Sequence, residues 1–251
     1  MRTLLLGAAA AAAIMAPGLA SADTSGSVGF VYEDNDFDYG EFQGYSLGGT
    51  IIHDLHSNMT LQADGRTTLQ SWEGSTGDYS HGYAAAHLSG DLGGINVGGF
   101  AGIVNYYGDG GVLIGAEART AFGNFSVDGS IARTDFNDNN YDGTAFRIGG
   151  SYFVMPDFAV RVGASTTSIN SFTDDDVTEL SLGGAYQFAN DIEVYANYTN
   201  TDGDQSVGAD YEGDTMMLGV RLNIGGGTLQ DNTNGGAWSS AEHVSNTWMR
   251  W

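Results

Sequence analysis

The chain has 251 residues, and its 31 acidic and 8 basic side chains give a formal net charge of −23. This acidity argues against nucleic acid as a partner, because a phosphate backbone would be repelled. The sequence contains no cysteine, which excludes disulfides and thiol chemistry. Only 2 prolines stand beside 39 glycines, a balance that favours strongly curved β-strands over a helical bundle.

The N-terminus has the layout of a secretory signal peptide. Arg2 supplies the positive charge, an apolar run follows over residues 4–15, and residues 20–22 (Ala-Ser-Ala) offer small side chains for cleavage. This run is too short to cross about 30 Å of hydrocarbon as a helix, and no later segment reaches the roughly 18 consecutive apolar residues of a membrane helix. We therefore predict a signal peptide over residues 1–22, cleavage after Ala22 and an exported mature chain.

The mature chain alternates between apolar and polar residues in about twelve segments, each about 9 to 13 residues long, the length that crosses a bilayer at a tilt. The clearest segment is Met59–Trp72, with Leu61, Ala63 and Leu69 on one face and polar residues on the other. The alternation is mixed in two segments, 79–88 and 95–106, which leaves their register open. The remaining candidates are 25–33, 42–55, 112–122, 125–134, 146–152, 158–168, 179–188, 192–199 and 216–224.

The connections between these segments alternate in length and chemistry. One set is short, at residues 56–58, 89–94, 123–124, 156–157 and 190–191. The other is mostly longer and acidic, at residues 34–40, 73–78, 135–143, 171–176 and 201–213, with 108–110 as its brief member. Short turns on one side and long loops on the other are typical of an outer-membrane barrel, whose short turns face the periplasm.

Outward-facing aromatic residues mark both ends of the predicted strands. One set falls at the short-turn ends (Phe122, Phe125, Tyr152, Phe158 and Phe188) and another at the long-loop ends (Tyr32, Phe146 and Tyr198). Two such rings are the interfacial girdles of a membrane barrel, whereas a soluble β-sandwich, the alternative fold, has no reason to sort its aromatics. We predict an all-β, transmembrane, antiparallel up-and-down barrel over residues 23–226, followed by a polar C-terminal tail over residues 227–251.

Two stretches, Gly150–Phe158 and Leu218–Leu229, resemble the Gram-negative porin superfamily, in particular the short porin-like proteins of α-proteobacteria. The resemblance implies an outer-membrane channel for passive diffusion of small polar solutes, surrounded by lipid and lipopolysaccharide and folded by the barrel-assembly machinery. Homo-oligomers are common in that superfamily, although the sequence identifies no interface. General porins use sixteen strands and usually end on an aromatic residue of the last strand.

The predicted last strand of this chain stops near Ile224, ahead of the polar tail, and the terminal aromatics of residues 248–251 are on no convincing strand. The tail could be a periplasmic extension or a partial plug, and the sequence leaves both open.

Charged residues are predicted to line the barrel interior, since an arginine facing lipid at mid-bilayer costs about 2–4 kcal/mol. Glu179 shares this inward parity, whereas Arg133 falls on the outward parity at the loop end of its strand. The predicted pore-lining residues are Arg66, Arg119, Arg147, Arg161 and Arg221 with Asp64, Glu117, Asp128 and Glu193.

Opposed arginine and carboxylate rows would set a transverse field that selects polar solutes, and the acidic loops would favour cations at the mouth. Alternatively these charges pair and fill the interior, since a barrel of about twelve strands lies between filled and open sizes.

No catalytic, cofactor or metal site is predicted. His56 and Ser57 place a base beside a hydroxyl, but in a predicted periplasmic turn and without triad geometry. Residues 138–143 mimic the start of a calcium loop, yet its twelfth position is Gly149 instead of a glutamate. His81 and His87 are interpreted as lumen fillers. Three functional classes remain: a diffusion channel, a structural or adhesive barrel acting through its acidic loops, and, least favoured, a lipid-modifying enzyme.

Overall fold

The computed structural model describes residues 24–55, 58–74, 78–106, 108–136, 142–170, 174–189, 191–206 and 210–250. Twelve antiparallel strands form a closed barrel in which each strand pairs with its neighbours in sequence and β1 pairs with β12. The predicted fold class is therefore confirmed, while the predicted signal peptide lies outside the described residues. Among the described helices, none is long and apolar enough to span a membrane.

The strands are β1 (Thr24–Phe37), β2 (Gly40–Leu55), β3 (Met59–Trp72), β4 (Asp78–Asp91), β5 (Ile95–Tyr106), β6 (Asp109–Phe122), β7 (Phe125–Phe136), β8 (Asp142–Met155), β9 (Phe158–Asn170), β10 (Asp174–Gln187), β11 (Ile192–Gln205) and β12 (Tyr211–Ile224). Two short helices follow, α1 (Leu229–Gly235) and α2 (Ser240–Arg250).

Most strands extend further than predicted at the end that carries the acidic connections. The loop predicted at 34–40 is wrong, since β1 continues to Phe37 and β2 begins at Gly40, and β11 and β12 likewise consume most of the loop predicted at 201–213. The reason is that Asp34 and Asp36 are on the outer face of a strand, where a carboxylate can face water without interrupting the hydrogen-bond ladder. Acidity there indicates exposure to water and not the end of a strand. The short turn predicted at 89–94 is also shorter, because β4 continues to Asp91.

The outer face of the barrel is apolar across its middle. Ile114, Ile148 and Leu182 are each more than half exposed, as expected for side chains that face lipid. Aromatic rings line the short-turn end, where Phe125 lies 5.7 Å from Phe122 and 4.8 Å from Tyr152 between ring centroids. The other predicted girdle residues, Phe146, Phe158, Phe188, Tyr32 and Tyr198, also have outward parity, and Tyr32 contacts Tyr45.

An apolar cluster occupies the lumen at the opposite end, near the β1–β2 turn. We call it the loop-side cluster. Its side chains are buried even though they point into the barrel, so this end of the interior is packed like a protein core. Its strand members at this end include Phe37, Phe42, Val104, Leu113, Phe136, Ile169, Val177 and Tyr211.

The chain turns back into the barrel after β12. Gly225, Gly226 and Gly227 have φ values of 117°, 77° and 99°, a conformation that favours glycine and reverses the chain direction. Thr228 then caps α1 in a capping box with Asp231.

Helix α1 lies across the short-turn mouth and α2 continues into the lumen. Gln230 donates from its backbone N–H to the carbonyl of Pro156 at 2.9 Å and from its side chain to the carbonyl of Gly123 at 2.9 Å. Ala241 and Val244 of α2 are buried in the loop-side cluster. The contacts of the C-terminal segment thus fit a plug and not an extension into the periplasm.

Candidate functional site: the barrel lumen

All nine predicted pore-lining residues have inward parity, and they divide into three groups of contacts. Asp64 and Glu117 bind a histidine, Arg66 and Arg119 bind the C-terminal segment, and the remaining five border an internal cavity. Arg133, predicted to face outward, is 57% exposed at its side chain and pairs with Asp142.

His87 connects two buried carboxylates. Its Nε2 lies 2.8 Å from Asp64 Oδ1 and its Nδ1 lies 2.8 Å from Glu117 Oε1. The Nδ1–Glu117 contact is a hydrogen bond, whereas Nε2 approaches Asp64 at ion-pair distance. The imidazole also stacks on Phe100 at 5.1 Å between centroids. His87 was interpreted from sequence as a filler, and its pairing with Gln62 beside Asp64 in the β3–β4 ladder is the signal that could have found the contact.

Arg119 contacts the segment that joins α1 to α2. Its guanidinium donates hydrogen bonds to the backbone carbonyls of Thr233, Gly236 and Ala237 at 2.8, 3.1 and 3.0 Å. The same group lies 4.4 Å from the centroid of the Trp238 ring, a cation–π geometry. The donors of this predicted pore-lining arginine are therefore bound to backbone carbonyls of the chain's own C-terminal segment.

Arg66 and Gln62 hold the same segment from β3. Arg66 Nη2 lies 2.5 Å from Glu242 Oε1, and its Nη1 lies 3.5 Å from Glu33 Oε1. Gln62 donates to the carbonyl of Trp238 at 2.9 Å and accepts from the N–H of Trp238 at 2.7 Å. Sequence reasoning placed Gln62 on the inner face but assigned it no role, because its partner lies 176 residues away.

The third group borders a cavity of about 290 Å³ beside the C-terminal segment. Arg161 and Arg221 share Glu193, at 3.3 and 3.6 Å, and Arg147 pairs with Asp128. The lining residues run from mid-strand to the short-turn end, and on β8, β9 and β10 they alternate with inward glycines such as Gly183. Small side chains and glycines leave the space that the cavity fills.

This geometry provides a charged chamber closed on the loop side by apolar packing, to which Ala241 and Val244 of α2 contribute. The guanidinium and carboxylate groups that border this chamber pair directly with one another within the β7–β12 part of the wall. Among the described residues, no group of three or more His, Asp or Glu side chains is placed to hold a metal ion. His56, Ser57 and most of the calcium-like segment 138–143 lie outside the described residues.

An apolar outer surface around a charged interior defines the class of outer-membrane β-barrels. The chain belongs to the Gram-negative porin family, whose sequence model matches residues 54–206. The predicted resemblance to that superfamily is thus confirmed, and the α-proteobacterial subgroup stays a prediction. Family membership also indicates an outer-membrane location.

Solved structures give the same fold. The chain is similar to an outer membrane channel from Pseudomonas putida F1, with 14% identity, a TM-score of 0.60, and coverage of 80% of this chain and 95% of that one. It is also similar to the translocator domain of the autotransporter NalP from Neisseria meningitidis (12% identity, TM-score 0.51, coverage 88% and 95%) and to KdgM porin (11%, 0.50, 78% and 98%). No curated protein matches the chain.

Proposed function

We propose that the chain forms a porin-like channel of the outer membrane, through which small polar solutes or ions diffuse passively. The observation that carries the proposal is the inner wall, where arginines and carboxylates border a cavity inside a closed barrel. Membership of the porin family supports the same function. The outer surface would contact lipid and lipopolysaccharide, and the barrel-assembly machinery would insert the strands.

A mild preference for cations is part of this proposal. Carboxylates outnumber guanidinium groups on the described inner wall, and acidic side chains continue along the outer face of the strands at the loop end. A mouth and wall of negative potential raise the local concentration of cations. Arg161 and Arg221, which border the cavity and share one carboxylate, would limit this preference to a modest one.

No catalytic role, cofactor or metal is part of the proposal. The porin family favours transport over catalysis, and the lumen charges already have partners in pairing and in holding the C-terminal segment.

The channel is tested with refolded protein in a planar bilayer under a potassium chloride gradient. We expect discrete conductance steps and a reversal potential biased toward cations. Arg161→Ala should increase that bias, because Glu193 then faces the cavity with one guanidinium fewer, whereas Arg133→Ala on the outer surface should leave it unchanged. A folded barrel that stays silent even without its C-terminal segment would refute the channel.

The filled lumen favours a second candidate, a non-conducting structural or adhesive barrel that acts through its acidic loop-side surface. The loop-side cluster and α2 together pack the interior at that end. This candidate predicts that cells or surfaces bind the protein through the loop-side carboxylates and that no variant of the barrel conducts.

A further inference from the structure

We propose that residues 229–250, the C-terminal plug, dock reversibly on a dedicated surface of the inner wall, and that conduction requires the plug to leave. This inference rests on the proposed channel function. The docking surface consists of Gln62, Arg66, Arg119 and Glu179.

The wall recognises the plug through its backbone. Gln62 pairs with both the N–H and the carbonyl of Trp238, and Arg119 binds the carbonyls that precede Trp238. Apart from Thr233, these backbone groups belong to the connection between α1 and α2, where no helix supplies partners. The wall supplies the missing hydrogen bonds, which is how a buried peptide segment is stabilised in a defined position.

Helix α2 is then held from two sides of the barrel. Glu242 pairs with Arg66 on β3, while Thr247 donates to Glu179 on β10 at 3.0 Å and His243 lies 3.6 Å from the same carboxylate. Strands β3 and β10 are far apart around the closed sheet, so the helix bridges the lumen. Charged and polar contacts of this kind exchange readily for water when the segment moves away.

The plug contributes nothing to the strand pairing that closes the barrel. The β1–β12 ladder runs from Gly26 paired with Ile224 to Phe37 paired with Gly213, entirely ahead of the plug. The glycine turn at 225–227 connects the two parts, and the adjacent cavity of about 290 Å³ offers room for the first movement. The plug can therefore leave without breaking a strand.

A reversible cross-link tests the inference in the full chain. The protein has no cysteine, so the pair Glu179→Cys and Thr247→Cys can be joined selectively by a reducible bifunctional methanethiosulfonate reagent. We expect cross-linking to reduce the mean conductance at least tenfold and a reductant to restore it. Each single-cysteine variant loses the Glu179–Thr247 contact, so it is compared with itself before and after the same treatment, which should leave its conductance unchanged. Equal conductance before and after reduction would overturn the plug.

A second arm separates this inference from the channel itself. A chain ending at Gly227, shown to be folded by its heat-modifiable migration, should conduct constitutively, and a synthetic peptide of residues 228–250 added on the short-turn side should block it. A folded truncated barrel that conducts, but no better than the full chain, would overturn the proposal that the plug blocks conduction and would leave the proposed channel function intact. A folded truncated barrel that stays silent overturns the channel. If truncation prevents folding, the cross-link decides.

Discussion

Replacing Arg119 with methionine should loosen the C-terminal plug while leaving the barrel intact. Each hydrogen bond to a charged donor contributes about 1.5–3 kcal/mol, and the contact with Trp238 adds about 0.5–2 kcal/mol. The bonds share one guanidinium and are not additive, so we expect the free energy of docking to fall by about 3 kcal/mol in total. At about 1.4 kcal/mol per factor of ten, the undocked population of the plug should rise about a hundredfold.

Thiol labelling measures that population. Ser245→Cys places the only thiol of the chain on a buried position of α2, 3% exposed, where a charged reagent reacts only after the plug undocks. When docking is faster than reaction, the labelling rate follows the undocked population. The Arg119→Met variant should therefore label about 100 times faster than the parent under the same conditions.

Arg133→Met in the same cysteine background is the control, because it removes an outer-surface arginine with no contact to the plug. Its labelling rate should equal that of the parent. If the labelling rate of Arg119→Met rises less than about threefold, the free energy of docking has changed by less than about 0.7 kcal/mol. The backbone contacts of Arg119 would then not hold the plug.

The remaining predictions concern the outer face, the packing of α1 and its cap. Ile114→Arg places a charge in lipid and should lower the unfolding free energy in vesicles by about 2–4 kcal/mol. Phe153→Ala removes a fully buried ring beside Leu229 and should lower the unfolding free energy, measured by denaturant titration as for Ile114→Arg, by about 3–5 kcal/mol. Hydrogen bonds from Thr228 lower the pKa of Asp231, so that carboxylate stabilises α1 above its ordinary pKa, and the contribution disappears as pH falls through the lowered value. The protection factors of the α1 amides, which correct for the slower intrinsic exchange in acid, should therefore fall as the pH is lowered, and Asp231→Asn should remove this acid-dependent part.

Each of these changes has a counterpart elsewhere in the barrel. Ser181 borders the cavity, so Ser181→Arg should leave the unfolding free energy nearly unchanged. An equal decrease for Ser181→Arg and Ile114→Arg would contradict the assignment of inner and outer faces. Phe122→Ala on the lipid-facing rim should cost less than Phe153→Ala. An acid response that persists in Asp231→Asn would place its origin outside the cap.

Much of the barrel is predictable because a strand couples sequence position to one face. In β3, whose bounds match the prediction, Asp64 and Arg66 are inward because every second residue is. The partners of these two side chains, in contrast, cannot be predicted from strand periodicity. Arg66 meets Glu242, which is far along the chain, and no local pattern encodes such a contact.

The sequence left a plug as one of two alternatives for the tail, because this segment is polar and its helices are short. Helix α2, with the sequence SAEHVSNTWMR, owes its position to contacts with the wall more than to its own helix propensity. A signal was nevertheless present in β4 and β5, whose alternation is mixed. Their inward Tyr83, Ala85 and Phe100 belong to the same packed cluster as α2, so apolar residues occur on both faces. Mixed alternation in a barrel strand can thus indicate an interior that is packed and not aqueous.

The location of Thr247 also decides how the protein can be handled. This residue is buried against Glu179 inside the barrel. A polypeptide fused beyond residue 250 would therefore either pass through the loop-side cluster or displace the plug from the lumen. A C-terminal affinity tag would therefore yield an altered molecule. Thr24 pairs with His53 at the short-turn rim, so a purification handle inserted ahead of it, after the predicted cleavage site, should leave the lumen undisturbed.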